Sequence, residues 1–204
     1  MSDNLLLALQ GSLNGDNVIR QQAEAFLINS FTTPLICTQL LAIICGPTID
    51  TNVKLQAAIM AKNIMRKYWK PKKDQYTISL TEKSTIRESL FEIICKIDNK
   101  PTLKLFEEMI TIVGKVDYPD NWSSLLPNVK KGLVSGIFQI TRASLKVLVR
   151  LVEFYKLELS TARNPLEDII SETFGILLSI IKKCSLDNEE HCLIAFSILK
   201  AFFQ

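Results

Sequence analysis

The stretch AAIMAKNIMRKYWKPKKD, Ala57 to Asp74, decides how the chain is read. Its apolar residues recur at helical rather than alternating spacing, and Lys70-Pro71 breaks the pattern. With Asp50 or Thr51 as cap, the spacing predicts a helix that reaches Trp69. Arg66, Lys67, Lys70, Lys72 and Lys73 interleave there with Tyr68 and Trp69. Cations next to aromatics suit a nucleic-acid contact. They equally suit a helix end, where cations meet the carbonyl terminus and amphipathic side chains cover an apolar rim.

Outward from this helix the same spacing repeats. The first helix reads Asp3 to Leu13, with Leu6, Leu9 and Leu13 on one side. Asp16 or Asn17 caps a second, reaching about Ser30, with Ala23, Phe26 and Leu27 inward. Thr33-Pro34 opens a third as cap and first position, ending at Gly46-Pro47. After the helix to Trp69, Ser79 or Thr81 starts a fifth, with Ile86, Leu90, Ile93, Ile94 and Ile97 on a stripe. A sixth runs from Pro101 to about Val116, a seventh from Asn121 to Gly132, and an eighth from Thr141 to Leu157. Arg163-Asn164-Pro165 opens a ninth, to about Cys184, and Asp187 caps a tenth containing Glu190 to Phe203. No segment alternates with a period of two between turn signals, so no strand is assigned. Ten helices on short turns make five successive antiparallel pairs, about 40 residues apart, the signature of a HEAT- or armadillo-type α-solenoid. A globular bundle is the structural alternative.

Composition agrees. The 204 residues are 48% hydrophobic and 22% charged, with seven Gly and seven Pro. That suits long helices better than sandwiches or barrels, which need frequent turn residues. The net charge of +3 is small for a nucleic-acid module. Five cysteines, Cys37, Cys45, Cys95, Cys184 and Cys192, are odd in number and lack a CxxC. They read as reduced thiols of a cytosolic or nuclear protein. MSDN shows no secretory signal, and the run from Leu35 to Cys45 is too short to span a bilayer. At the other end Ile194, Ile198, Leu199, Phe202 and Phe203 continue the apolar pattern with no following cap. Solenoids need a polar terminal cap, so this is read as an N-terminal part of a longer protein.

Residues for catalysis do not assemble. His191 is the single histidine, beside Cys192, and reads as a helix-surface residue. There is no GxGxxG, GxxxxGK[ST] or GxSxG. Glu107-Glu108 and Glu189-Glu190 are adjacent acids that point apart on a helix and read as solvated faces or helix N-terminal charges, with a catalytic carboxylate pair the remote alternative. The expectation is a protein that presents surfaces, not an enzyme, with no cofactor and no metal.

Four motifs carry a resemblance. Arg20-x-x-Ala23-Glu24-x-x-Leu27 resembles the second helix of the importin-β N-terminal domain. Ala57-x-x-x-Ala61-Lys62-Asn63-x-x-x-x-x-Trp69 is similar to that domain's "A-x-x-L-K-N … W" helix, with Ala61 where Leu is usual. Lys83-x-x-x-Arg87-x-x-Leu90 is similar to the next helix, and Asp117-Tyr118-Pro119-x-x-Trp122-x-x-Leu125-Leu126 to the family's "D-x-P-x-x-W-x-x-L" turn. Arg163-Asn164-Pro165-Leu166, Phe174 and Glu190 to Phe203 extend the likeness towards the branch of importins seven and eight. The exportin that recycles importin-α is a near competitor. Lys130 to Thr141 is short and contains glycine, a departure that bears on the register of the fourth pair.

The resemblance implies an all-α, right-handed α-solenoid of about five HEAT-type helix pairs, one array over 1–204 with the N-terminal domain at 20–100. It implies a monomeric nuclear transport receptor shuttling between nucleus and cytoplasm. Its partners would be Ran-GTP, protein cargo and phenylalanine-glycine nucleoporins, with no membrane and no direct nucleic acid. A Ran-independent HEAT scaffold is a further alternative. In the family the second helix of each pair lines the concave side, here 16–30, 51–69, 100–116, 141–157 and 187–203. Leu55, Ile59, Lys62 and Arg66 share one face at spacings of three and four, as do Lys104, Glu108, Thr111 and Lys115. These eight are the candidate Ran-facing strip. Lys62 and Arg66 would meet acidic groups, and Leu55 and Ile59 would give apolar contact. The plainer reading is an ordinary solvated face with the two apolar residues covered by a neighbour. Trp122 is expected to support the Pro119 turn. Phe138, Phe154, Phe174 and Phe196 are expected between helices, and Phe202-Phe203 against repeats outside this chain.

Overall fold

The computed structural model describes residues 2–155, 165–185 and 187–203. Among them are ten α-helices and no strand: α1 Ser2–Gly11, α2 Asn17–Asn29, α3 Ile36–Cys45, α4 Thr51–Tyr68, α5 Leu80–Ile94, α6 Lys100–Asp117, α7 Leu125–Leu133, α8 Phe138–Tyr155, α9 Pro165–Lys183 and α10 Glu189–Phe203. The chain divides into two compact units. One is Met1–Leu90 with Asn99–Ile112, the other Phe91–Asp98 with Val113–Gln204.

In the first unit α1 packs on α2, α3 on α4, and α1 also on α4. Its core holds Leu5, Leu9, Leu40, Ile64, Met65 and Trp69, all nearly or fully buried. Asp16 caps α2 by accepting from Val18 N at 2.7 Å and Ile19 N at 3.2 Å. Asp50 does the same for α4 at Asn52 N and Val53 N. Both caps are local, three residues or fewer from their donors, as the Asp side chain requires.

The start of α3 departs from the sequence expectation. Ser30–Thr32 forms a 3-10 turn, Leu35 adopts a left-handed φ of 62°, and the helix begins at Ile36. Thr33 is not its cap. The Glu82 carboxylate, on the first turn of α5, accepts from Leu35 N at 3.1 Å, Cys37 N at 3.1 Å and Thr38 N at 3.3 Å. A distant anion satisfies donors that a local hydroxyl was expected to satisfy. Phe26 is also exposed rather than inward.

In the second unit α7 packs on α8, α8 on α10, and α9 on α7, α8 and α10. Trp122 is buried, under a turn in which Asn121 N donates to Asp117 O at 2.7 Å. That turn delays α7 to Leu125, four residues beyond the expected start. Gly136 has φ 72°, a left-handed turn that suits glycine. It lets α8 start at Phe138, before the expected Thr141. Gly132 allows a close approach, since a Cβ there would collide with Ser144 Oγ. Asn188, not Asp187, caps α10 by accepting from Glu190 N and His191 N. Arg163-Asn164 and the side chains of Phe202 and Phe203 lie outside the described residues.

Candidate protein-binding face

Helix α4 separates two kinds of surface. Val53, Ala57, Ala58, Met60, Ala61, Ile64, Met65 and Tyr68 are buried. Alanines at 57, 58 and 61 let neighbouring backbone approach closely. Along one edge of this buried stripe Leu55, Ile59 and Lys62 are half-buried and Arg66 is exposed. In α6, capped by Asn99 accepting from Thr102 N at 3.0 Å, Leu103, Phe106, Met109 and Ile110 are buried. Lys104 is exposed, and Glu108 and Thr111 are half-buried.

Three of the eight candidates come together. Arg66 Nη2 lies 3.0 Å from Glu108 Oε2, and Lys62 Nζ lies 3.7 Å from the same oxygen. One carboxylate of α6 therefore holds two cations of α4. The Arg66–Glu108 pair is open to water and contributes about 0–1 kcal/mol, while Lys62 is largely covered. The group's content is charge placement more than stability. Leu55 lines an open groove of about 520 Å³ with Gln10, Leu13 and Gln56. Thr111 donates its hydroxyl to Glu107 O at 2.7 Å, one turn back, as a helical Thr often does. Lys115 belongs to the second unit, its ammonium 5.4 Å from the Phe154 ring centroid.

The basic-aromatic stretch resolves into a helix end. Trp69 is 1% exposed and Tyr68 is buried. Lys83 Nζ sits 5.6 Å from the Trp69 ring centroid, and Lys67 Nζ 5.0 Å from that of Tyr68. Neither ring offers a face for a base to stack on. Lys70, Lys72 and Lys73 are exposed.

Several features escape a reading by spacing. Phe174 and Phe196 are 49% and 70% exposed, not core. Glu107 is buried, not solvated. Val18, Ile19 and Ile28 leave α2 with exposed apolar side chains, off the face that Ala23 and Leu27 bury. Val18-Ile19, adjacent at the helix start, was the available signal.

Among the described residues the resolved shifts fall on cysteine and tyrosine side chains. Burial, aided by the Glu82 charge, pushes the Cys37 thiol well above its usual range. Burial pushes Cys95 up to about 11 and Tyr118 up to about 12. These shifts favour neutral, unreactive forms. His191 Nδ1 accepts from Ser185 N at 3.1 Å. Among the described residues no group of three or more His, Cys, Asp or Glu is placed to hold a metal ion, and no helix is long and apolar enough to cross a membrane.

Three comparisons bear on the family and the fold. Residues 23–96 match the family model of the importin-beta N-terminal domain. The chain is 31% identical over 162 residues to the importin beta-like SAD2 homolog of Arabidopsis thaliana, covering 79% of this chain and 15% of that protein. It is 24% identical over 196 residues to the probable importin-7 homolog of Dictyostelium discoideum, covering 95% of this chain and 18% of that protein. It is 23% identical over 184 residues to exportin-2 of Oreochromis niloticus, covering 88% and 18%. Among solved structures, the exportin Cse1 in its cargo-free, cytoplasmic state superposes with a TM-score of 0.85 at 14% identity, over 99% of this chain and 23% of that one. That likeness shows the fold, all-α and of HEAT type. The chain spans less than a fifth of the length of these relatives.

Proposed function

We propose that this chain, whose residues 23–96 match the importin-beta N-terminal domain, belongs to the importin-β superfamily and serves a nuclear transport receptor. In this reading its helix pairs bind Ran-GTP and thereby control the release of protein cargo carried through the nuclear pore. The observation that carries the proposal is the domain match, joined by relatives named as importins and exportins over most of the chain. The Ran-facing residues are taken to be Lys62 and Arg66, flanked by Leu55, Ile59 and Lys104, with Glu108 between the cations. Thr111 and Lys115 stand at the margin, the first bonded to its own helix and the second over Phe154. Phenylalanine-glycine nucleoporins are proposed as the further partners, with Phe174 and Phe196 the exposed aromatics available for apolar contact. The receptor is proposed to move between nucleus and cytoplasm.

A two-state linkage gives the mechanism. A receptor that binds cargo and Ran-GTP with different preferences for its conformations couples the two ligands reciprocally. Immobilised chain challenged with Ran-GTP and with Ran-GDP tests the reading. Retention of the GTP form alone supports it, and equal retention of both, or of neither, removes it.

A second reading has its own support. The relative from Schizosaccharomyces pombe is named an importin-alpha re-exporter, and it is 26% identical over 128 residues. Under this reading the cargo is importin-α, and it binds only together with Ran-GTP. Importin-α binding that rises on adding Ran-GTP favours this reading; binding that falls favours the first.

A further inference from the structure

Glu108 is the acid that the two strip cations already face. Both cations of the proposed Ran-facing strip converge on its Oε2, Arg66 at 3.0 Å and Lys62 at 3.7 Å. The side chains differ in access. Arg66 is 60% exposed, Glu108 35% and Lys62 14%, so an approaching ligand meets the guanidinium first. Lys104, one turn before Glu108 on α6, is exposed and makes no ion pair among the described residues. The Thr111 hydroxyl, one turn after it, is committed to Glu107 O. Nothing of that turn reinforces the carboxylate in its place.

We propose that Glu108 is an internal competitor: its carboxylate occupies Lys62 and Arg66 while no partner is bound and weakens their capture of an acidic partner surface. The inference rests on the Ran-binding reading above. Two cations and one anion leave the cluster at +1; without Glu108 it is +2. The Arg66–Glu108 pair is solvent-exposed and weak, so exchange of one carboxylate for another at the guanidinium is easy. Once displaced, Glu108 stays close and repels the incoming acid. Glu108 therefore sets affinity and salt dependence without being a contact the partner needs. A different role, a strut that joins α4 to α6, would show in stability instead.

The test measures Ran-GTP binding to the full chain and its Glu108→Gln variant across a salt series, with thermal melts of both. Glu153→Gln is the control. It removes a carboxylate 2.7 Å from Arg150 on α8, a helix that contributes no residue to the strip. Glu108→Gln is expected to tighten binding about three- to tenfold at low salt, the scale of one rim charge, with a steeper loss as salt rises. Glu153→Gln should leave binding unchanged. Binding by the parent chain that is unchanged or weakened in Glu108→Gln overturns the inference and leaves the Ran reading intact. Absence of Ran-GTP binding in every variant overturns the Ran reading, and this inference with it.

Discussion

The Glu82 carboxylate receives the Cys37 amide at 3.1 Å across 45 residues, and it takes Leu35 N and Thr38 N as well. The first turn of α5 thus caps the first turn of α3. Glu82 is 1% exposed, so water does not replace it. Glu82→Gln keeps the shape but exchanges a charged acceptor for a neutral amide. It should lower stability by about 1–3 kcal/mol, the scale for losing buried charge-assisted hydrogen bonds. Denaturant unfolding checks this; an unchanged midpoint would show that the cap contributes nothing.

Two glycines in helices should respond with opposite sign. At Gly132 of α7 a Cβ would strike Ser144 Oγ and press within 3.2 Å of Ser144 Cβ and 3.3 Å of Phe91 Cζ. Gly132→Ala should cost about 1–3 kcal/mol from overpacking. At Gly175 of α9 nothing lies within 4 Å. Gly175→Ala should stabilise by about 0.5–1 kcal/mol through helix propensity alone. Thermal melts of the two variants side by side test the pair of signs.

Trp69 and the lysines that follow it should separate cleanly. Trp69→Ala empties a buried site and should destabilise by about 3–5 kcal/mol. Lys70→Glu, Lys72→Glu and Lys73→Glu together should leave the melt within about 0.5 kcal/mol, as surface changes do. A large loss in the triple variant would mean that these side chains carry structure.

Alkaline pH should weaken the fold before it does so for an ordinary helical protein. Cys95 is held up to about 11 and Cys37 is raised further, both chiefly by burial. Above the unfolded thiol's range, near 9, the unfolded chain gives up protons that the folded chain retains. Fewer protons bound in the unfolded state means that stability falls as pH rises through that window. Unfolding at pH 8 and pH 10.5 should show the loss, and Cys95→Ser should reduce it. Equal loss in Cys95→Ser would assign the effect elsewhere.

The helices were legible because apolar spacing reports period directly, and the Asp16 and Asp50 caps because their donors lie two and three residues away. The start of α3 was not, because its cap sits on α5. The motif from Ala57 to Trp69 pointed to the family, while the basic-aromatic mixture beside it proved to be a buried helix end with exposed lysines. Lys62, Arg66 and Glu108 were each picked out from spacing along one helix. Their convergence on one oxygen depends on how α4 and α6 approach, which spacing cannot express. Phe174 and Phe196 look like core in sequence because a helix records which residues are apolar, not which face meets a neighbour.

The central claim is that Lys62 and Arg66 present charge to Ran in its GTP state. Its most direct test is the dissociation constant of the full chain for Ran-GTP and for Ran-GDP, before and after joint Lys62→Glu and Arg66→Glu replacement. The account predicts a preference for Ran-GTP of at least about tenfold in the parent chain, a coupling of ordinary size. It predicts loss of most of that affinity in the double variant. Ran-GTP binding that survives the double charge reversal at full strength would contradict it.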